Sequence, residues 1–237
     1  STFDCGGSYT VLDTTYNCAN EDGHGHQTFT EGLMNSCNPY FITIGQRLGA
    51  ETFYKYFEAF GFTEKTGIDL PGEGSPVAGI TYHSPEISFT NSNLVSVSFG
   101  QSNQITPIQV AAAISAVGNG GKLMRPYVVS KILDEDGNII SETEPYVKRQ
   151  VVSEKTADIM CDLMEQVVVW GTAKNAYVAG YHVAGKTGTA ENATGNDHSW
   201  FIGFAPAEDP LITMLSGFIL REAAFSIMKL VALKRSS

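Results

Sequence analysis

From Gly171 onward the chain changes its period. A long stretch of helical spacing gives way to alternating apolar and polar residues through 181–190, 199–204 and 211–215, joined by polar turns that contain glycine. A helical block that feeds an antiparallel meander leaves few architectures open, because such a sheet buries at least one face and needs helices to cover it. The pattern predicts an α/β (α+β) domain: an antiparallel sheet with helices on both sides, plus a helical subdomain.

With 237 residues, 43% of them apolar, one core and one domain are expected. That domain divides into a hairpin region at 1–27, a mainly helical part at 28–170, the sheet at 171–219 and a tail at 220–237. A formal net charge of −10 with only 15 Lys and Arg argues against a nucleic-acid partner, since no basic stripe exists to displace counterions. No apolar run of 18 residues occurs, and the start has neither a basic flank nor an apolar signal core. Because Ser1–Cys5 already reads as ordered sequence, any targeting segment is expected upstream.

Residues 1–27, rich in Gly, Asp, Asn and His, read as hairpin and loop. Thr28 and Glu31 have capping-box spacing and open a helix that ends near Asn35. A second helix is expected from Asn38 as cap with Pro39 in its first turn. Tyr40, Phe41, Ile44 and Leu48 would share one face of it, and Gly49 would end it. A third helix covers 50–60. Residues 63–105 are punctuated by Pro and Gly, with Leu70-Pro71-Gly72-Glu73-Gly74 an evident loop, whereas Thr106, Pro107 and Gln109 open an Ala-rich helix to about Val117. A hairpin turning at Asp136-Gly137 follows, then a helix from Glu154 to about Val169 capped by Ser153. Periodicity also predicts a helix over 222–234, with Phe225, Met228 and Val231 facing inward.

Cys5, Cys18, His24 and Cys37 follow the pattern Cys-x12-Cys-x5-His-x12-Cys. Three thiolates and one imidazole make a closed tetrahedral set that suits a structural Zn²⁺. His26 is an alternative imidazole and Asp4 an outside ligand. A Cys5–Cys18 disulfide, with Cys37 as a small buried residue, stays open as the competing reading. Cys161, among Ile159, Met160 and Leu163, reads as core.

The strongest chemical signal is Lys186-Thr187-Gly188-Thr189 at the end of a small-residue strand, together with Ser36-Cys37-Asn38 in a corner between helices. Gly188 lets a substrate backbone approach, and Lys186 attracts a carboxylate. A second copy, Lys65-Thr66-Gly67, falls in a loop and reads as structural.

With Ser98-Phe99-Gly100-Gln101, Gly171-Thr172-Ala173 and His198–Pro206 in the same order, residues 1 to about 214 resemble the class B penicillin-binding proteins of the elongation type. The resemblance implies their transpeptidase fold, shared with β-lactamases. It implies a D,D-transpeptidase that cross-links peptidoglycan stem peptides through a serine acyl-enzyme, with β-lactams as suicide analogues. In it Ser36 relays protons and Asn38 hydrogen-bonds the substrate amide. Lys186, Thr187 and Thr189 bind the terminal carboxylate, and the N–H of Thr189 forms half of an oxyanion hole. His198 would hold substrate in the cleft or be a plain edge histidine. The resemblance also implies an extracytoplasmic site, a membrane anchor upstream and a glycosyltransferase of the wall-synthesis complex as partner. A zinc at positions corresponding to Cys5, Cys18, His24 and Cys37 occurs in part of the family, and no other cofactor is expected.

The family's Ser-x-x-Lys should precede Ser36 by roughly 50–60 residues, on the resemblance, and the chain starts too late to hold it. The expectation is therefore a fragment inactive without its nucleophile. The chain's one such tetrad, Ser226-Ile227-Met228-Lys229, follows the lysine strand and lacks the family's surroundings. A D,D-carboxypeptidase or β-lactamase, and a non-catalytic β-lactam or muropeptide sensor, are the alternative readings.

Overall fold

Short-range signals start most of the elements of this chain. A computed structural model describes residues 2–11, 13–85, 91–190, 198–219 and 224–231, with backbone alone at 91, 218, 219 and 224–231. Strand β1 (Thr2–Cys5) pairs with β4 (Gly25–Thr28), and between them β2 (Ser8–Val11) pairs with β3 (Thr14–Asn17), both antiparallel.

Thr28 ends β4 and opens α1 (Phe29–Met34) through the expected capping box. Helix α2 (Asn38–Ala59) follows after two residues, and Gly49, at φ 76°, breaks it into the two helices read from the sequence. Two details differ from the sequence reading. The cap of α2 is Cys37 rather than Asn38, whose side chain is used elsewhere. Leu48 is 46% exposed, since the buried residues of α2, Pro39, Tyr40, Ile42, Thr43 and Gly45, all lie in its first half.

Helix α3 (Asn91–Ser98) falls in the stretch punctuated by Pro and Gly, where the sequence assigned no element. It packs so tightly on α2 that a β-carbon at Gly45 would lie 1.8 Å from Ser98 Oγ. Packing rather than propensity therefore accounts for this polar, β-branched segment being helical. Helix α4 (Pro107–Gly118) has the Thr106–Gln109 capping box, and the buried amide of Gln109 also donates to the carbonyls of Gly61 and Glu64. Next come β5 (Lys122–Met124), β6 (Lys131–Leu133), β7 (Ile139–Glu142) and β8 (Val147–Gln150), which pair β5 with β8 and β6 with β7. The second Lys-Thr-Gly copy is structural: the Glu73 carboxylate accepts from Thr66 N–H, Thr66 hydroxyl and Gly67 N–H.

Ser153 caps α5 (Glu154–Trp170). The main sheet then runs β9 (Ala184–Ala190), β10 (His198–Ala205), β11 (Ile212–Ile219) and β12 (Ala224–Val231), antiparallel in the order β12-β11-β10-β9. The helix expected in the tail is instead β12, paired with β11 over all eight residues, since a sheet edge with open hydrogen bonds outcompetes a weak helical period. The inward residues proposed there, and residues 222, 223 and 232–234, lie outside what the side-chain description covers. Val117 of α4 and Cys161 and Met164 of α5 pack on Ala184, Phe204 and Ala207, which fixes β9 against the helices. Each large apolar side chain buried this way contributes about 1.5–3 kcal/mol. No helix is long and apolar enough to cross a membrane among the described residues.

Candidate active site

The Ser36 corner is a tight left-handed turn. Ser36 itself has φ 52°, a conformation costly for a side-chain-bearing residue and held here by Ser36 N–H to Leu33 O and Cys37 N–H to Gly32 O. Gly32 has no β-carbon because one would lie 1.8 Å from the ring of Tyr40, whose burial anchors the start of α2. Asn38, in the first turn of α2, donates its amide to the carbonyl of Asn17 at 3.3 Å and so ties the corner to β3.

Strand β9 approaches from the other side. Gly185 and Gly203 lie under the ring of Phe201, so the strand's backbone is pinned by the residue opposite Thr187. Lys186 then places Nζ 2.8 Å from Ser36 Oγ and 2.7 Å from the carbonyl of Thr187. Burial brings its pKa down to about 8. Thr187 donates its hydroxyl to that of Thr172 at 3.2 Å, and Thr172 N–H donates to the carbonyl of Met34. Thr172 thus joins the lysine strand to the end of α1, one residue before Asn35.

Between these walls lies an open groove of about 880 Å³, with Ser36, Asn38, Thr172, Thr187, Gly188 and Thr189 along it. Tyr16 and Phe99 close one end, their rings edge-to-face with centroids 5.8 Å apart. The groove offers hydroxyl groups and amides close together, and Lys186, though not itself along the groove, reaches it through its hydrogen bond to Ser36 Oγ. That set can bind a carboxylate beside an amide and pass a proton between oxygen and nitrogen atoms.

The structure therefore brings Ser36, Asn38 and residues 186–189 together, as the sequence predicted. His198 does not join them: it sits half-buried opposite Ala190, beyond the threonine tip, and does not line the groove. Ser226–Lys229 lies on β12, at the far edge of the sheet from β9. Tyr16, Asn17 and Thr172 were not singled out from sequence, although Thr172 belongs to one of the recognised blocks.

Behind the corner, Cys5, Cys18, His24 and Cys37 converge, their ligand atoms all within 4.8 Å of one another. Cys18 Sγ lies 3.3 Å from His24 Nδ1 and 4.0 Å from Cys37 Sγ. Tetrahedral bonds of about 2.3 Å to sulfur and about 2.0 Å to nitrogen would space donors by about 3.5–3.8 Å, so the set fits a four-coordinate ion. All four cysteines of the chain are free thiols. Burial raises the Cys37 thiol to about 12 and pushes Cys18 up as well. At Cys5 burial also raises the pKa, but hydrogen bonds from the backbone of His24 and Gly7 and from the side chains of Cys37 and Cys18 together outweigh it, and the net direction is down. His26 and Asp4 pair with each other at 2.9 Å on the surface, outside this set.

Residues 1–218 match the model of the penicillin binding protein transpeptidase domain, to which family the chain belongs. It is 43% identical over 204 residues to Stage V sporulation protein D of Bacillus subtilis, covering 83% of this chain and 31% of that protein. It is 29% identical to Peptidoglycan D,D-transpeptidase MrdA of Acinetobacter baumannii, covering 81% and 31%. Among solved structures, penicillin-binding protein 3 of Mycobacterium tuberculosis, complexed with aztreonam, superposes with a TM-score of 0.78 at 27% identity, covering 98% and 51%. The D,D-transpeptidase domain of the Eggerthella lenta peptidoglycan glycosyltransferase gives 0.77 at 28% identity, covering 89% and 52%. The chain thus spans about a third of the length of these curated relatives.

Proposed function

We propose that this chain forms the carboxylate-binding and proton-relay walls of a peptidoglycan D,D-transpeptidase site that also accepts β-lactams. The observation that carries this reading is the contact between Lys186 Nζ and Ser36 Oγ at 2.8 Å. In the forward reaction a serine oxygen attacks the carbonyl of a D-Ala-D-Ala bond, and the leaving D-Ala amine must gain a proton. The Ser36 hydroxyl, hydrogen-bonded to Lys186, is placed to donate it and be reprotonated from the lysine. Thr187 and Thr189 offer hydroxyls to the terminal carboxylate, and the Thr189 N–H offers half of an oxyanion hole. Asn38 contacts the substrate amide from the opposite wall.

The acylating serine is not assigned to Ser226, since its strand stands at the opposite edge of the sheet from Lys186. The domain works on the outer face of the cell membrane, beside a glycosyltransferase. A fluorescent penicillin tests the reading. The full-length protein should label covalently, and Ser36→Ala or Lys186→Ala should slow labelling by about 10²–10⁴-fold; failure of the wild type to label overturns it.

The thiol cluster holds a structural Zn²⁺ through Cys5, Cys18, His24 and Cys37. All three thiols are buried, no disulfide competes for them, and the donor spacing suits the ion. The metal would supply no step of the reaction. It would clamp Cys18, beside Asn17, to Cys37, beside Asn38, and so keep the groove corner in shape. Mass spectrometry of the native full-length protein should find one zinc per chain, lost in Cys18→Ser.

A further inference from the structure

Three thiolates around a divalent cation leave a net negative charge, and here that charge would sit among fully buried sulfurs. Such a charge is tolerated only where N–H donors meet the sulfur atoms. One side chain nearby has the chemistry for it. Gln27, on β4, is 1% exposed, yet it is a carboxamide where a leucine would pack without polar cost. Its oxygen accepts from Asn35 Nδ2 at 3.2 Å. Its nitrogen has no hydrogen-bond partner of ordinary geometry.

A buried amide N–H left without an acceptor loses its hydration with nothing in return, so the residue demands an explanation. The acceptor beside it is the sulfur of Cys37. That sulfur is itself completely buried. A neutral thiol is a weak acceptor, whereas a metal-bound thiolate is a strong one, so the donor gains a proper partner only when the cluster is loaded. Strand pairing fixes where the donor stands, because Gln27 lies opposite Phe3 in the β1–β4 ladder, two positions from Cys5.

We infer that Gln27 is a positioning residue that donates its carboxamide N–H to the Cys37 thiolate of the loaded cluster and, through its oxygen, holds Asn35 beside Ser36. This rests on the zinc reading given above. One buried side chain then connects the metal-holding centre to the groove by two hydrogen bonds, in parallel with the chain connection from Cys37 to Ser36. Its role differs from that of the four ligands: it tunes how tightly the thiolate is held, and it orients the residue that precedes the proton-relay serine.

The test uses the full-length protein as wild type, Gln27→Leu and Gln27→Glu. Zinc affinity is measured by competition with a chromogenic chelator. Both variants should bind zinc about 10–100-fold more weakly, still at one ion per chain. The sulfur-to-metal charge-transfer band of the cobalt(II) form should shift in both. Should the variants fail to fold, the wild type loaded with cadmium-113 carries the test. There the ¹⁵N-labelled side-chain amide of Gln27 should show scalar coupling to cadmium through the sulfur. A wild type that binds no zinc overturns the metal reading and this inference with it. A wild type that binds zinc, with Gln27→Leu affinity within about twofold or no coupling to cadmium, overturns the role of Gln27 and leaves the metal reading standing.

Discussion

The side-chain nitrogen of Lys186 lies 2.8 Å from the hydroxyl oxygen of Ser36, although 150 positions separate the two residues in the chain. Burial draws the Lys186 pKa down to about 8, well below the ordinary lysine value of about 10.4. The sign of the pH effect follows. A bound carboxylate favours the charged amine, so affinity for a carboxylate ligand should be full below about pH 8 and fall as the pH rises through it. Calorimetric titration of the full-length protein with a non-covalent D-Ala-D-Ala peptide, in two buffers of different ionisation enthalpy, should detect proton uptake above that pH. Lys186→Met should abolish both the uptake and the step in affinity.

Gly171 has no room for a side chain. A β-carbon there would lie 2.6 Å from Met34 O and 2.8 Å from Val167 O, both backbone atoms that cannot move aside cheaply. Gly171→Ala should therefore destabilise the protein by about 1–3 kcal/mol. It should also shift Thr172 away from Thr187, so penicillin labelling should slow even at temperatures where the variant is fully folded. A melting curve and a labelling time course, run together, separate the two effects.

The two Lys-Thr-Gly copies should answer differently to mutation. Glu73→Gln removes the charged acceptor of three hydrogen bonds from Thr66 and Gly67 and should cost about 1–3 kcal/mol in denaturant unfolding. Lys65→Ala should leave β-lactam labelling within about twofold of wild type, while Lys186→Ala slows it by orders of magnitude. Equal effects from the two lysines would remove the distinction between a structural loop and a binding strand.

Metal removal should act on the groove as well as on stability. Because the Cys18–Cys37 pair flanks the hydrogen bond from Asn38 to Asn17 O, chelator-treated protein should melt at a lower temperature and label more slowly. Restoring zinc should recover both. Asn38→Ala, which removes one exposed hydrogen bond, should show slower labelling with a much smaller fall in melting temperature than metal removal causes.

Much of this arrangement was legible in the sequence where the cause is local. Thr28 with Glu31 and Thr106 with Gln109 announce their helices, because a capping box is written within four residues. The convergence of Cys5, Cys18, His24 and Cys37 was legible for a different reason, since soft donors gathered in one stretch suggest a shared site. Helix α3 was not, because its helicity comes from the tight contact of Ser98 with Gly45, which sequence spacing does not record. Strand β12 was misread for a similar reason: its partner β11 offers hydrogen bonds that outweigh its own weak period. Asn17 and Gln27 carry no motif at all. An amide becomes informative only when its burial and its neighbours are known.

Among the described residues, strand β9 is bonded on one side only, to β10. Its outward row of amide and carbonyl groups would welcome any extended polypeptide, since main-chain pairing is blind to side chains. Discrimination among visitors therefore has to come from the ends of the guest. A chain terminus bearing a free carboxylate can meet Lys186, whereas an internal segment has nothing to present there.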